Sequence, residues 1–430
     1  MELRYLFTRG AVTGQNPEFL VGRQELVSDL ANRLAEDRLS GVIYGTRGVG
    51  KTSLAWQVAT VLAGINPRFR KEDVVKLRRP PEFEIVFHKC SRFVDTVGDL
   101  LLEIVLTKTS DFSFQEVLSP YYDEGDNGKS ITRKITGGFP KLLEMSEDER
   151  TKAWSALDEA RTHFKNEADK IALFNELMFS ISKRIGGKRI LLVVDEFDRP
   201  RDFRGGIRLE NSAKKDVEGV GELIKDTDIA QFLLVGIAEN VSEILKDHKS
   251  AARKMPGCVV SAPLMSDHEI GEIFHRAVRE SKGALTVAPV FIQQVVRYAS
   301  GLPWIAQHIG YEAVREASGP VTLDGSHFEP ALKKTVESFA EDADVSESVE
   351  FLEQANRTDL EILGVIWDHT RGEEEHEVRR AVPQRFKQNF DAALRRLIGT
   401  DILVRKGSRL VFKDPIVRVF SRKYIDDARS

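Results

Sequence analysis

Cysteine is nearly missing. The 430 residues hold two, Cys90 and Cys258, far apart and each in a strand-like run. That excludes a disulfide framework or a thiolate metal centre, and both read as small buried hydrophobes. The nine histidines are scattered, with no C-x-x-C or H-x-x-x-H spacing, so no zinc site is expected. No apolar run approaches the ~18 residues a membrane span needs, and the opening MELRYLFTRG is not a signal peptide. The expected compartment is the cytoplasm, with no membrane partner. An excess of positive charge is missing too. Its 63 Lys+Arg against 67 Asp+Glu give a net −4, which predicts no bulk attraction to nucleic acid. What remains is a globular composition, 41 % hydrophobic and 30 % charged, too long for one core and expected to hold two or three domains.

One stretch matches a phosphate-binding loop at every defining position. Gly45-Thr46-Arg47-Gly48-Val49-Gly50-Lys51-Thr52 fits G-x-x-x-x-G-K-[ST], and Ser53 follows. Val42-Ile43-Tyr44 reads as the buried strand before it, and the amphipathic run from Ser53 to Leu62 as the helix after it. The glycines let the backbone turn sharply and aim N–H groups at one point. The helix opening at Lys51 adds the positive end of its dipole, so a polyphosphate, ATP or GTP, is the natural ligand. Lys51 is expected on the β/γ-phosphates and the Thr52 hydroxyl on Mg²⁺.

A second stretch supplies carboxylates. Arg189-Ile190-Leu191-Leu192-Val193-Val194-Asp195-Glu196 suits a central parallel strand whose carboxyl end opens on a ligand crevice. Asp195 would hold Mg²⁺ through water, and Glu196 would orient and deprotonate the attacking water. The competing reading is a strand that merely ends in a solvated acidic turn.

Phe19-Leu20-Val21-Gly22-Arg23-Gln24-Glu25-Leu26 precedes the loop, followed by Val27, Leu30 and Leu34 on one helical face. This entry, with the two motifs above, resembles AAA+ ATPases of the origin-recognition initiator kind and their STAND relatives. The resemblance implies that Val21, Gly22 and Arg23 lie against the adenine of ATP. It also implies a sensor at the polar tip of the strand Gln231–Asn240, which places Glu239 there with Asn240 beside it. Arg253, just before the strand Cys258–Ser261, stands where such families carry an arginine finger that reaches a neighbouring subunit's ATP. Ser300-Gly301-Leu302-Pro303-Trp304 is similar to the Gly-x-Pro of STAND ATPases, which sets Pro303 against the nucleotide. By residue chemistry alone, Arg253 is a solvated helix end and Pro303 an ordinary helix start.

The expected fold is α/β: a P-loop NTPase core with a parallel five-stranded sheet, a helical lid and a C-terminal winged-helix domain. Residues 1–18 form an extended arm and 19–265 the core, interrupted at about 109–168 by a polar insertion that is either decoration or a contact for a partner protein. A capping box at Ser266 and Glu269 opens an all-helical lid, 266–345. Residues 355–430 resemble a winged helix, with helices, a hairpin at Asp401–Phe412 and a last helix from Asp414-Pro415. From 376 to 430, 14 Lys+Arg face six Asp+Glu, a stripe able to screen DNA phosphates or to pack on the ATPase. Two functions stay open. One is an ATP- and Mg²⁺-dependent AAA+ ATPase, a homo-oligomer through its ATP site, acting with DNA in replication initiation, transposition or defence. The other is a STAND-like signalling switch whose output is carried by a partner.

Overall fold

The computed structural model describes residues 3–13, 19–37, 39–66, 69–77, 80–91, 94, 97–106, 111–118, 121, 167–197, 230–237, 258–340, 346–369 and 372–429. Glu239, Asn240, Arg253 and most of the segment 109–168 lie outside these residues.

The first unit alternates helices and strands: α1 (Gln24–Asp37), β1 (Gly41–Gly45), α2 (Lys51–Ala63), the single turn α3 (Lys71–Val74), β2 (Phe83–Lys89), α4 (Val97–Leu106), α5 (Phe114–Leu118), α6 (Glu167–Ser182), β3 (Arg189–Asp195), β4 (Ala230–Ile237) and β5 (Val259–Ser261). The strands form one five-stranded sheet in the order β2-β3-β4-β1-β5, and every pairing is parallel. This is the α/β P-loop NTPase fold expected from the two motifs. The near-continuous apolar strands are explained by burial on both faces. Ile43, Leu191, Val193, Leu233 and Val235 join α1 and α2 in one cluster. Their neighbours Val42, Ile190, Leu192, Val194 and Leu234 join α4 and α6 in the other, as the two-residue period of a strand requires. The expected insertion opens inside the core: Phe114 and Leu118 are buried there, and the Phe87 amide donates to the Phe112 carbonyl at 2.8 Å. Both cysteines are free and buried.

A second, mainly helical segment follows: α7 (Asp267–Glu280), β6 (Leu285–Val287), α8 (Pro289–Ala299), α9 (Pro303–Val314), β7 (Val321–Leu323) and α10 (Gly325–Ala340). The Ser266/Glu269 capping box is formed in both directions. The all-helical expectation needs correction, because β6 and β7 pair in parallel. Leu-Thr-Val and Val-Thr-Leu favour extended backbone, but three residues are too few to show a period.

The C-terminal unit comprises α11 (Ser346–Gln354), α12 (Arg357–Trp367), β8 (Glu373–Glu374), α13 (Glu375–Ala381), a 3-10 turn (Gln384–Asn389), α14 (Phe390–Gly399), β9 (Leu403–Lys406), β10 (Arg409–Phe412) and α15 (Pro415–Arg429). The sequence led us to expect a two-stranded ribbon; the acidic Glu373-Glu374 adds a third strand, in the order β8-β10-β9. α15 docks on the helical segment, where the Phe339 and Phe420 rings lie 5.4 Å apart and the Tyr298 hydroxyl donates to Asp426 at 2.7 Å. Among the described residues no helix is long and apolar enough to cross a membrane.

Candidate functional site

The Gly45–Thr52 loop links β1 to α2, and its glycines take conformations closed to other residues. Gly45, Gly48 and Gly50 have φ of 151°, 75° and 90°, all strained for an L-residue with a side chain. Gly45, Thr46 and Val49 shape the loop rather than line its cavity. A methyl at Gly45 would sit 3.0 Å from the Ala262 carbonyl, the Thr46 carbonyl accepts from Lys51 Nζ at 2.9 Å, and Val49 is buried in the core. Arg47, Gly48, Gly50, Lys51, Thr52 and Ser53 line a cavity of about 570 Å³, large enough for a small-molecule ligand.

Sheet topology brings the two motifs together. β3 ends two strands away from β1, with only β4 between them, and the Thr52 hydroxyl donates to Asp195 Oδ2 at 2.9 Å. Asp195 is 5 % exposed, and that burial, more than the neighbouring Glu196 charge, raises its pKa to about 6 although the Thr52 bond opposes it. Glu196 holds a left-handed backbone, φ 54°, with its amide donating to Asp195 Oδ1 at 3.0 Å. Its carboxylate meets Lys89 Nζ at 3.1 Å. Lys89 ends β2, directly opposite Asp195 in the ladder. Sequence reasoning missed Lys89, since only the strand register sets it beside Glu196.

Among the described residues no group of three or more His, Cys, Asp or Glu could hold a metal. The Thr52/Asp195 pair nevertheless suits Mg²⁺, which prefers hard oxygen donors and takes one or two carboxylates alongside substrate phosphates and water. A buried carboxylate that resists ionisation is also one that gains from a cation beside it.

The remaining walls come from three places. Val21 and Arg23 line the cavity. Arg23, also left-handed at φ 63°, donates to the Pro263 carbonyl at 2.7 Å, and burial lowers its pKa to about 10. Gly22 instead faces Glu269, whose Oε1 would lie 2.3 Å from an added methyl. Pro303 opens α9 with its Cγ 3.6 Å from a methyl built on Gly50. Next to it, Trp304 covers Gly48, where an added methyl would meet Cε3 at 3.2 Å. The third wall is the arm. Leu3, Leu6, Phe7 and Val12 are buried, the Thr8 amide donates to Gln307 Oε1 at 3.1 Å, and the Val12 amide donates to Ser53 Oγ at 2.9 Å. His308, its pKa lowered to about 4 by burial, donates Nε2–H to the Arg9 carbonyl at 3.0 Å. The arm is not extended throughout as expected: Leu3–Leu6 forms a 3-10 turn, which brings Leu3, Leu6 and Phe7 onto one side and leaves Tyr5 exposed, and no spacing in the sequence signalled this docking.

In the C-terminal unit much of the positive charge is paired. Arg405 and Arg409 meet Glu375 and Glu374 at 2.9 and 3.4 Å, and Arg396 meets the buried Asp359 at 2.8 Å. Counting from 376 begins just past the three glutamates that fold back on the hairpin, so it overstates the local charge. Arg385, Lys387 and Arg395 form no ion pair among the described residues.

No protein-family model matches the chain, and no curated protein matches it. Solved structures similar along nearly the whole length include a Walker-type ATPase of Pyrococcus abyssi, 17 % identical over 97 % of this chain and 99 % of that one, TM-score 0.49. The ORC1 protein of Aeropyrum pernix in complex with DNA is 12 % identical over 95 % and 93 %, TM-score 0.45. The Thermotoga maritima RuvB Holliday junction branch migration motor is 14 % identical over 91 % and 92 %, TM-score 0.38. At such identities and scores the likeness carries no functional argument, and function is argued from the site.

Proposed function

We propose that this chain is an ATP- and Mg²⁺-dependent AAA+ type ATPase that acts on or with DNA. The observation that carries the reading is the 2.9 Å bond from the Thr52 hydroxyl to Asp195, which joins a phosphate loop to an acidic strand end across the sheet. The polyphosphate lies in the Gly45–Thr52 loop, where Lys51 exchanges the Thr46 carbonyl for phosphate oxygens. Val21 and Arg23 wall the base end of the cavity, and Pro303 closes it from the lid, residues 266–345. Thr52 and Asp195 would hold Mg²⁺, which when bound would supply positive charge beside the phosphates. Glu196 takes the proton of the attacking water, and Lys89 fixes the orientation of that carboxylate. Arg253 of a second copy, with Glu239 or Asn240, which follow β4 in the sequence, completes the site.

The C-terminal unit, read as a winged helix, supports the DNA part through Arg385, Lys387 and Arg395. Its docking on the lid through Phe420 and Asp426 is the observation that favours the second reading, a STAND-like switch in which this unit regulates the ATPase. The two readings share one nucleotide site.

Two variants test that site. Lys51→Ala should abolish ATP binding in a folded protein. Glu196→Gln should bind ATP and fail to hydrolyse it, because the amide keeps the shape but cannot accept a proton. Unchanged affinity in the first, or wild-type turnover in the second, overturns the assignment.

A further inference from the structure

His88 and Lys89 leave β2 on opposite faces of the sheet, as the two-residue period of a strand requires. Their neighbours mark the sides: Phe87 belongs to the cluster with α1 and α2, Val86 and Cys90 to the one with α4 and α6. Lys89 reaches the cavity and meets Glu196 at 3.1 Å. His88 is 3 % exposed, and its Nε2–H donates to Glu103 Oε2 on α4 at 3.2 Å. The same oxygen accepts from the Ser91 amide at 3.4 Å, and Glu103 is itself 2 % exposed. One buried carboxylate thus grips the chain just before Lys89 and again two residues after it. Between those points the Cys90 amide is held by the Asp195 carbonyl at 2.9 Å.

We propose that Glu103, acting through His88 and the Ser91 amide, is a positioning residue that fixes Lys89 where it meets the Glu196 carboxylate. This role rests on the reading of Glu196 as the base. The Lys89 and Glu196 side chains are 58 % and 26 % exposed, and so exposed a pair does little to hold itself in place. Where its two groups meet is therefore set by the backbone beneath, and β2 is the last strand of the sheet, with β3 as its neighbour. Leu100, Leu101 and Ile104 around Glu103 belong to the apolar core, where an uncharged residue would pack at lower cost than a carboxylate. What the carboxylate adds is an acceptor for two points on the strand end. Asp99, one turn earlier on α4, is the natural comparison: it is 4 % exposed and binds Lys170 of α6 at 2.8 Å. None of Glu103, His88 and Asp99 lines the nucleotide cavity.

ATP turnover by the full chain, with the Kd of a non-hydrolysable ATP analogue measured alongside, tests the proposal. Glu103→Met removes the acceptor and should lower kcat about tenfold or more while leaving the analogue's Kd unchanged. Glu103→Gln keeps an acceptor oxygen and should retain most of the turnover. Asp99→Asn should cost stability in denaturant without slowing kcat. Lys89→Ala should slow the wild type and add nothing to Glu103→Met, because both act through one geometry. His88→Leu combined with Glu103→Met removes both members of the buried pair, and replaces the single variant if that one does not fold. Wild-type kcat in Glu103→Met, a further fall when Lys89→Ala is added to it, or equal slowing in Asp99→Asn overturns the positioning role. A wild-type chain that neither binds the analogue nor hydrolyses ATP overturns the nucleotide reading itself, and the positioning role with it.

Discussion

Asp195 is an acid whose environment resists its charge. Burial raises its pKa to about 6 from the ordinary 3.8, so the folded state binds this proton more tightly than the unfolded chain. Between those values the native protein holds more protons, and the stability of the nucleotide-free protein falls as pH rises from about 4 to 6. A cation beside the carboxylate reverses the preference. MgADP affinity should therefore weaken as pH drops from 7.5 to 5.5, and Asp195→Asn should show a flatter profile, with titration of the phosphates common to both. Parallel profiles in a calorimetric titration would show that Asp195 does not face the metal. At this scale the sequence was most legible where chemistry is local. Lys51, Thr52, Asp195 and Glu196 are named by motif, whereas Lys89 and Trp304 are set by strand register and by a helix start packed on a glycine, which no spacing encodes.

The arm shows how an element is fixed by one missing side chain. Phe7 lies on α9 at Gly310, where an added methyl would come within 2.5 Å of two ring carbons. Alanine is the better helix former by about 1 kcal/mol, but overpacking typically costs about 1–3 kcal/mol. Gly310→Ala should thus destabilise the protein in denaturant titration, and in a Phe7→Ala background the same change should turn neutral or stabilising. A stabilising effect in the wild-type background would mean that the arm does not dock there. The apolar run of β3 and the capped, amphipathic α7 could be read from sequence because burial dictates their pattern, and β1 and α2 because they flank the loop motif, although α2 proves buried on nearly every face and not amphipathic as expected. The pair β6 and β7 could not, since three residues carry no period. β8 could not either, because its two glutamates are held by pairing to β10, with Arg409 on Glu374 and His369 on Glu373.

For the molecule as a whole, the open matter is what it touches. If Arg253 reaches a neighbour's nucleotide, Arg253→Ala should bind ATP normally and hydrolyse it poorly, since losing such a group costs orders of magnitude in rate. Mixing it with Glu196→Gln should restore part of the activity, and a turnover independent of protein concentration would count against a shared site. If Arg385, Lys387 and Arg395 meet phosphates, duplex binding should weaken with salt at a log–log slope of about −0.9 per contact. A flat response in a fluorescence-anisotropy titration leaves the C-terminal unit as a regulator. Glu196 adds a consequence for the entire fold. Its left-handed backbone opposes folding by about 1 kcal/mol, a strain that glycine would relieve. A search that rewarded heat resistance alone would favour Glu196→Gly and deliver a sturdier protein without the carboxylate we propose as its base; on that proposal, durability and turnover pull this one position in opposite directions.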